Sequence, residues 1–155
     1  GISPVLDPEK STDKIDKITL IRNYFLKKWR NSLRKKQALF PDIYDFNNIL
    51  RLKTLRDVTD ALLEKYSDFK CSSDYFKAYS VVKGAIKNIA TPTTIITAAD
   101  DPIIPIEDFY ELEINNLTNL VIQPYGGHNG FIDGFYLKGW YEQRLETLFN
   151  QNAKY

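Results

Sequence analysis

The stretch TPTTIITAADDP, residues 91–102, indicates the fold class. Its centre is β-branched and uncharged over the length of one strand and ends in an acidic turn, which is typical of a buried strand in a parallel sheet. Residues 105–115 then have the pattern of a helix, residues 119–124 that of a second buried strand, and residues 137–150 that of a C-terminal helix. This order predicts an α/β fold with right-handed crossovers, in which helices flank parallel strands.

The first half of the chain is predicted to be helical. Apolar residues recur at three- and four-residue steps over residues 15–33, and the preceding STDK (11–14) offers N-cap residues. Residues 55–66 predict a second helix, and a third is expected to be capped by Ser72 or Ser73. The predicted divisions are a strand end and loop of the core (1–10), a helical lid (11–90) and a C-terminal βαβα portion of the core (91–155).

Composition limits the classes of function. The 155 residues have a net charge of +1, which gives no reason to expect a nucleic-acid partner. The single cysteine, Cys71, excludes an internal disulfide and favours a reducing, cytoplasmic location. The chain lacks methionine, so we expect it to be cut from a longer protein, with removal of an initiator before Gly1 as the alternative.

Reactive side chains follow both predicted strands. Asp100 and Asp101 come directly after the first strand, and His128, the only histidine, follows the second in YGGHNGF (125–131). Because the carboxyl ends of parallel strands meet at one edge of a sheet, the two loops are expected to be neighbours. A carboxylate and an imidazole placed in this way are the orienting acid and the general base of a nucleophilic triad.

Structural interpretations compete with the catalytic one. A histidine between glycines is alternatively an ordinary surface residue, and the Asp100–Asp101 pair is alternatively a turn or helix-cap device. One histidine without companion acids at ligand spacing does not suggest a metal site.

Two motifs carry a family resemblance. PTTIITAADDPIIP (92–105) followed by GGHNGF (126–131) resembles the C-terminal part of an α/β-hydrolase, and more closely the YheT-like branch, which pairs a DDP loop with a GGH-x-GF loop. The resemblance implies a hydrolase core with a helical lid, a serine hydrolase acting on lipid-like or short acyl carboxylic esters, and no metal or organic cofactor. It also selects Asp101 as the acid, because the family acid lies four residues before a proline, here Pro105; Asp100 is the alternative.

The nucleophile of that family is not found in this sequence. The family places its serine in a G-x-S-x-G elbow, and the nearest stretch, GISPV (1–5), fails because the residue after Ser3 is a proline without the N–H that the oxyanion hole needs. We therefore expect the serine to lie outside this chain and the chain alone to be inactive. The alternatives are a non-catalytic α/β-hydrolase-like domain used for binding or assembly, and an acyltransferase.

The expected partners follow from the same features. They are a small-molecule ester and, across the open edge of the sheet, the protein's own N-terminal half or a second copy. Six of the ten residues in KKWRNSLRKK (27–36) are basic, which is explained by a solvated helix face or by peripheral contact with an anionic membrane. Aromatic side chains in the first half are expected to form the lid core or to line an acyl pocket: Phe40, Tyr44, Phe46, Tyr75, Phe76 and Tyr79.

Overall fold

The computed structural model of the protein describes residues 1–82, 84–133 and 138–152. Two compact units make up the chain. Val5–Val82 form one, which we call the helical unit, and Gly1–Pro4 join the described residues after Val82 in the other, which we call the sheet unit. The predicted division into a core segment (1–10), a lid (11–90) and a C-terminal core portion (91–155) refers to the parts of a hydrolase, and it stays a prediction.

The α/β fold class is confirmed. The helices are α1 (Pro8–Lys17), α2 (Thr19–Leu39), α3 (Leu55–Tyr66), α4 (Ser72–Tyr79), α5 (Glu107–Tyr110) and α6 (Trp140–Asn152), with short 3-10 turns at Ile49–Arg51 and Ile86–Asn88. The strands are β1 (Thr93–Ala98), β2 (Thr118–Gln123), β3 (Ile132–Asp133) and β4 (Lys138–Gly139). Among the described residues, no helix is both long and apolar enough to cross a membrane.

The first helix begins earlier than predicted. Asp7 is its N-cap, and the Asp7 carboxylate accepts hydrogen bonds from the backbone N–H groups of Glu9 and Lys10 at 3.0 and 3.1 Å. Pro8 occupies the first turn, where its missing N–H costs nothing. The predicted cap within residues 11–14 is therefore wrong, since these residues lie inside α1.

The long helical pattern over residues 15–33 is divided into two helices. Ile18 has an extended backbone (φ −101°, ψ 98°) and separates α1 from α2. The guanidinium of Arg22 donates to the carbonyl oxygen of Asp16 at 2.7 Å, a group that a continuous helix would pair with the N–H of Leu20. The amphipathic period survives the break, so the sequence pattern did not reveal it.

The start of α4 also differs from its prediction. Its N-cap residue is Cys71, whose side chain makes no capping hydrogen bond. Ser72 is buried, and its N–H donates to Asp60 at 2.9 Å, while the Ser73 hydroxyl donates to Glu9 at 2.6 Å. Neither serine is the cap, because both belong to contacts with other helices. The buried apolar side chains of the helical unit are Leu6, Ile15, Leu26, Phe46, Ile49, Leu55, Val58, Leu63 and Phe76.

The sheet unit is built on the predicted buried strand. β1 and β2 are parallel, with Thr93 opposite Thr118 and Ala98 opposite Gln123. The last four residues of β1 are buried, so both faces of the strand are covered. On its other side β1 forms an isolated parallel bridge with Ile2, in the region where the end of a strand was predicted.

The connection between the two main strands is less helical than predicted. Residues 105–115 were expected to form a helix, but α5 has only four residues. Asn115 accounts for the difference, because its amide donates to the carbonyl oxygens of Lys87 and Ile89 at 2.9 and 2.7 Å and so ties this segment to a distant turn. The predicted C-terminal helix is present as α6, and Leu137, its expected first residue, lies outside the described residues.

Candidate active site

Two loops meet at the carboxyl ends of β1 and β2. The parallel register brings Ala98 and Gln123 side by side, and one further hydrogen bond, from Ala99 N–H to the Gln123 carbonyl at 2.8 Å, extends the pairing beyond the strands. We call residues 99–105 the acid loop and residues 124–131 the histidine loop. The predicted proximity of the two loops is therefore observed.

Asp101 is the buried carboxylate of the acid loop. Its side chain has no exposed surface. One carboxylate oxygen, Oδ1, accepts hydrogen bonds from the N–H groups of Ile103 and Ile104 at 2.7 and 3.0 Å. The other, Oδ2, lies 3.0 Å from Nδ1 of His128. Because the backbone holds one oxygen, the second has a defined direction, towards the imidazole.

The acid loop contacts His128 through one ring nitrogen, Nδ1. A carboxylate can only accept hydrogen bonds, so its contact with Nδ1 places the proton of the neutral imidazole on that atom. Nε2 then carries the lone pair, and the Asn129 amide lies 3.3 Å from it. The side chain is 30% exposed, so Nε2 can be reached from outside. This geometry suits a general base that takes a proton at Nε2.

Asp100 has a different place in the same site. Its Oδ1 accepts hydrogen bonds from the N–H groups of Gly126 and Gly127 at 2.9 and 2.8 Å. The side chain therefore connects the acid loop to the histidine loop two residues before the imidazole. Sequence reasoning treated Asp100 as an alternative acid or a turn device, whereas the contact with His128 belongs to Asp101.

Phe131 anchors the end of the histidine loop, and sequence reasoning missed it. Its side chain is buried against Ile96 and Ala98, and its backbone N–H donates to the Gly126 carbonyl at 2.8 Å. Its φ of +43° is rare for a bulky residue, so the surrounding contacts hold it there. The Gly130–Phe131 pair could have indicated this role from the sequence, because an aromatic residue at the end of a glycine-rich loop is suited to anchor the loop.

Ser3 is buried beside the pairing of Ile2 with β1. Its backbone N–H donates to the Ile96 carbonyl at 2.8 Å and belongs to the pairing of Ile2 with β1. Pro4 follows it and has no N–H to offer to an oxyanion. No group of three or more histidine, cysteine, aspartate or glutamate side chains suited to a metal ion occurs in the described part of the chain.

The aromatic residues of the helical unit divide between core and surface. Phe46 and Phe76 are buried, whereas Phe40 and Tyr79 are exposed. A mainly apolar cavity of about 440 Å³ lies within this unit, between α1, α2, α3 and α4. Its lining residues are Pro8, Thr12, Trp29, Thr59, Leu62, Leu63, Tyr75, Phe76 and Tyr79. Core packing is observed for Phe46, and Tyr75 lines a cavity; that an acyl chain occupies this cavity stays a prediction.

The chain is similar in sequence to proteins whose names are those of hydrolases. An abhydrolase domain-containing protein of Dictyostelium discoideum is 36% identical over 86 residues, which is 54% of this chain and 22% of that protein. The putative esterase YheT of Escherichia coli is 27% identical over 132 residues, or 80% of this chain and 38% of that protein. Mouse phospholipase ABHD3 is 26% identical over 123 residues, or 76% of this chain and 29% of that protein.

The chain is similar to the C-terminal region of YheT-like α/β-hydrolases. The resemblance carried by the DDP and GGH-x-GF loops is thereby confirmed. The chain spans less than two fifths of the length of each of these three relatives. No family model and no solved structure matches it.

Proposed function

We propose that this chain supplies the acid and the histidine of a Ser-Asp-His triad in a hydrolase of carboxylic esters, with the serine outside residues 1–155. The observation that carries the proposal is the contact of 3.0 Å between a fully buried Asp101 carboxylate and Nδ1 of the partly exposed His128. The names of two similar proteins also support the proposal: one is named a phospholipase and the other a putative esterase.

His128 and Asp101 have separate roles in the proposed reaction. Nε2 of His128 takes the proton of the serine hydroxyl as the serine oxygen attacks the ester carbonyl, and then gives that proton to the departing alkoxide. Asp101 keeps the imidazole in the tautomer whose Nε2 carries no proton, and it stabilises the imidazolium that forms. In the second half of the cycle, Nε2 of His128 takes a proton from a water that attacks the acyl-serine, and it returns that proton to the serine oxygen as the carboxylic acid leaves. Lipid-like or short acyl esters are the proposed substrates.

The test compares two neighbouring aspartates under one substitution in the full-length gene product. Asp101→Asn turns an N–H donor towards Nδ1 of His128 and favours the wrong tautomer, so ester hydrolysis should fall about 10⁴-fold. His128→Ala should cause a larger loss, about 10⁶-fold, because it removes the proton acceptor itself. Asp100→Asn is the matched control, because it keeps the one oxygen that both glycine N–H groups use. Its loss should stay within about tenfold, because the two hydrogen bonds from the glycines are weakened by loss of the negative charge but are not removed.

The 155-residue chain serves as the second control. It should neither hydrolyse activated esters nor react with a fluorophosphonate probe, because an oriented imidazole without a nucleophile and an oxyanion hole is a poor catalyst. Labelling of the chain would show that the serine lies within it and would contradict the proposal. Equal losses for Asp100→Asn and Asp101→Asn would contradict the separate roles of the two aspartates.

A further inference from the structure

Helix α2 concentrates positive charge without any compensating acid. Over Thr19–Leu39 there is no aspartate or glutamate, although the whole chain is nearly neutral. Leu26 is the only buried residue of this 21-residue helix. The charge therefore lies on an element that is mostly in contact with solvent. Its seven basic residues are Arg22, Lys27, Lys28, Arg30, Arg34, Lys35 and Lys36.

Some of these cations have contacts within the protein; Lys28 Nζ, for example, lies 5.6 Å from the centre of the Tyr24 ring. Arg22 and Arg30 donate to the carbonyl oxygens of Asp16 and Leu52 at 2.7 and 2.6 Å, so they hold the helix in place. Lys27, Lys28 and Lys35 are exposed, and in the part of the chain that the structure describes none of the three forms an ion pair. These three charges are available to a partner.

The exposed side of α2 also carries apolar side chains. Leu20 is 82% exposed and Tyr24 is 58% exposed, and their spacing to Lys27 (four residues, then three) puts all three on one side of the helix. Leu39, just past the basic segment, is 73% exposed. We call Leu20, Tyr24, Lys27, Lys28, Lys35 and Leu39 the basic face. The exposed Phe40 and Ile43 continue it beyond the helix.

We propose that the basic face of α2 docks on an anionic lipid surface. Lipid satisfies both of its components, because headgroup phosphates attract the three exposed lysines while the acyl boundary takes up Leu20, Tyr24 and Leu39. A nucleic acid would neutralise the lysines and leave these apolar side chains in water. The inference does not depend on the proposed ester hydrolysis, because it concerns a surface on the helical unit and is tested by binding alone.

The experiment measures binding of the 155-residue chain to phosphatidylcholine vesicles with and without phosphatidylserine. Binding should require phosphatidylserine and should weaken as salt shortens the screening length. The variant Lys27→Gln, Lys28→Gln, Lys35→Gln should bind about 100-fold more weakly, at roughly fivefold per lysine. A second variant, Leu20→Ser, Leu39→Ser, should lose at least about tenfold through its lost apolar insertion. Circular dichroism checks that each variant keeps its helices.

The matched control removes the same charge elsewhere. Lys70→Gln, Lys77→Gln, Lys87→Gln changes three exposed lysines outside α2 and should weaken binding by less than about fivefold. Equal weakening in both lysine variants would show that net charge alone acts and would overturn the proposal. Equal binding to vesicles with and without phosphatidylserine would also overturn it. So would tighter binding to duplex DNA at equal phosphate concentration, if it were unaffected by Leu20→Ser, Leu39→Ser.

Discussion

At the scale of single residues, two adjacent aspartates have opposite environments. The Asp101 side chain turns into the protein, where two backbone N–H groups and the imidazole surround it. Asp100 is exposed and reaches across to the N–H groups of Gly126 and Gly127. One carboxylate orients the imidazole while its neighbour holds the loop that carries it. A loop needs both functions to present a histidine in a defined direction, since a correct rotamer on a loose backbone would not suffice.

Gly126 offers a test of how the histidine loop is held. A Cβ added there would lie 2.5 Å from Cδ1 of the buried Phe131 ring and 3.0 Å from Cβ of Ala98. Gly126→Ala should therefore destabilise the sheet unit by about 1–3 kcal/mol, the usual effect of overpacking. Hydrogen exchange of the β1 amides measures this free energy in the unit concerned.

The control for this prediction is the neighbouring glycine. Gly127 has φ +55° and nothing within 4 Å of an added Cβ, so only its backbone conformation restricts substitution. Asparagine tolerates that conformation better than other side chains. Gly127→Asn should therefore change β1 exchange by less than about 0.5 kcal/mol. If Gly126→Ala proved equally mild, the close approach of Phe131 would not be a constraint on the loop.

At the scale of elements, a polar network joins α1, α3 and α4. Arg56, in the first turn of α3, donates to Asp13 at 2.6 and 2.8 Å and to Glu9 at 3.1 Å, both on α1. Glu9 also accepts a hydrogen bond from the Ser73 hydroxyl of α4 at 2.6 Å. A third α1 carboxylate, Asp16, accepts from the first two N–H groups of α3 at 2.8 and 3.0 Å. Helices with few buried contacts are thus fixed by hydrogen bonds at their ends.

The network predicts a pH dependence for the helical unit. The Ser73 hydrogen bond lowers the pKa of Glu9 below its ordinary value of 4.5, desolvation opposes the shift, and Arg56 adds to it. A lowered folded-state pKa contributes stability above the unfolded pKa, and this stability is lost as pH falls through the folded value. Glu9→Gln should therefore be less stable than the wild type by about 1 kcal/mol at neutral pH. The difference should shrink below pH 4.5.

Thermal unfolding followed by circular dichroism at several pH values measures this difference. Glu64→Gln, at an exposed position of α3, is the control for loss of one negative charge. It should shift the midpoint less than Glu9→Gln at neutral pH. A Glu9→Gln effect that stayed constant from neutral pH to well below 4.5 would show that packing, rather than the charge of Glu9, is responsible.

At the scale of the whole molecule, the sheet has a strand edge at Ile2. Gly1 and Ser3 direct their hydrogen-bonding groups to β1, through Ile96 N–H to Gly1 carbonyl at 2.9 Å and Ser3 N–H to Ile96 carbonyl at 2.8 Å. The alternation of a strand then points the N–H and carbonyl of Ile2 the other way, and neither has a backbone partner within the described ranges. Unpaired strand edges of this kind favour pairing with another chain.

We therefore expect the 155-residue chain to self-associate through this edge as its concentration rises. Ile2→Pro should reduce association at least about tenfold, because it removes the outward N–H while leaving the two bonds to Ile96 intact. Sedimentation velocity over a concentration series measures the change. Ile2→Ala is the control, since it loses the packing of Ile2 on the Phe131 cluster but keeps the N–H. Equal behaviour of the two variants, or a wild-type chain that stays monomeric, would contradict pairing at this edge.

Several features follow from the sequence without any structure. The β-branched run before the aspartates predicted β1, and the second apolar run predicted β2, because a buried strand needs only a short local pattern. The parallel arrangement followed from the helical segment between them. Once two parallel strands end side by side, their following loops must be neighbours, so the proximity of Asp101 and His128 was also predictable.

Only the tertiary structure decided the remaining features. The resemblance favoured Asp101 over Asp100, but the residues themselves left both open, because two identical neighbouring side chains do not encode the backbone path of the acid loop that turns Asp101 towards His128. The break at Ile18 and the shortness of α5 depend on Arg22 and on Asn115, whose amide bonds a turn 26 and 28 residues away. Local periodicity records which side of a segment is buried. Where a segment ends is determined by hydrogen bonds from its surroundings, and those exist only in the folded chain.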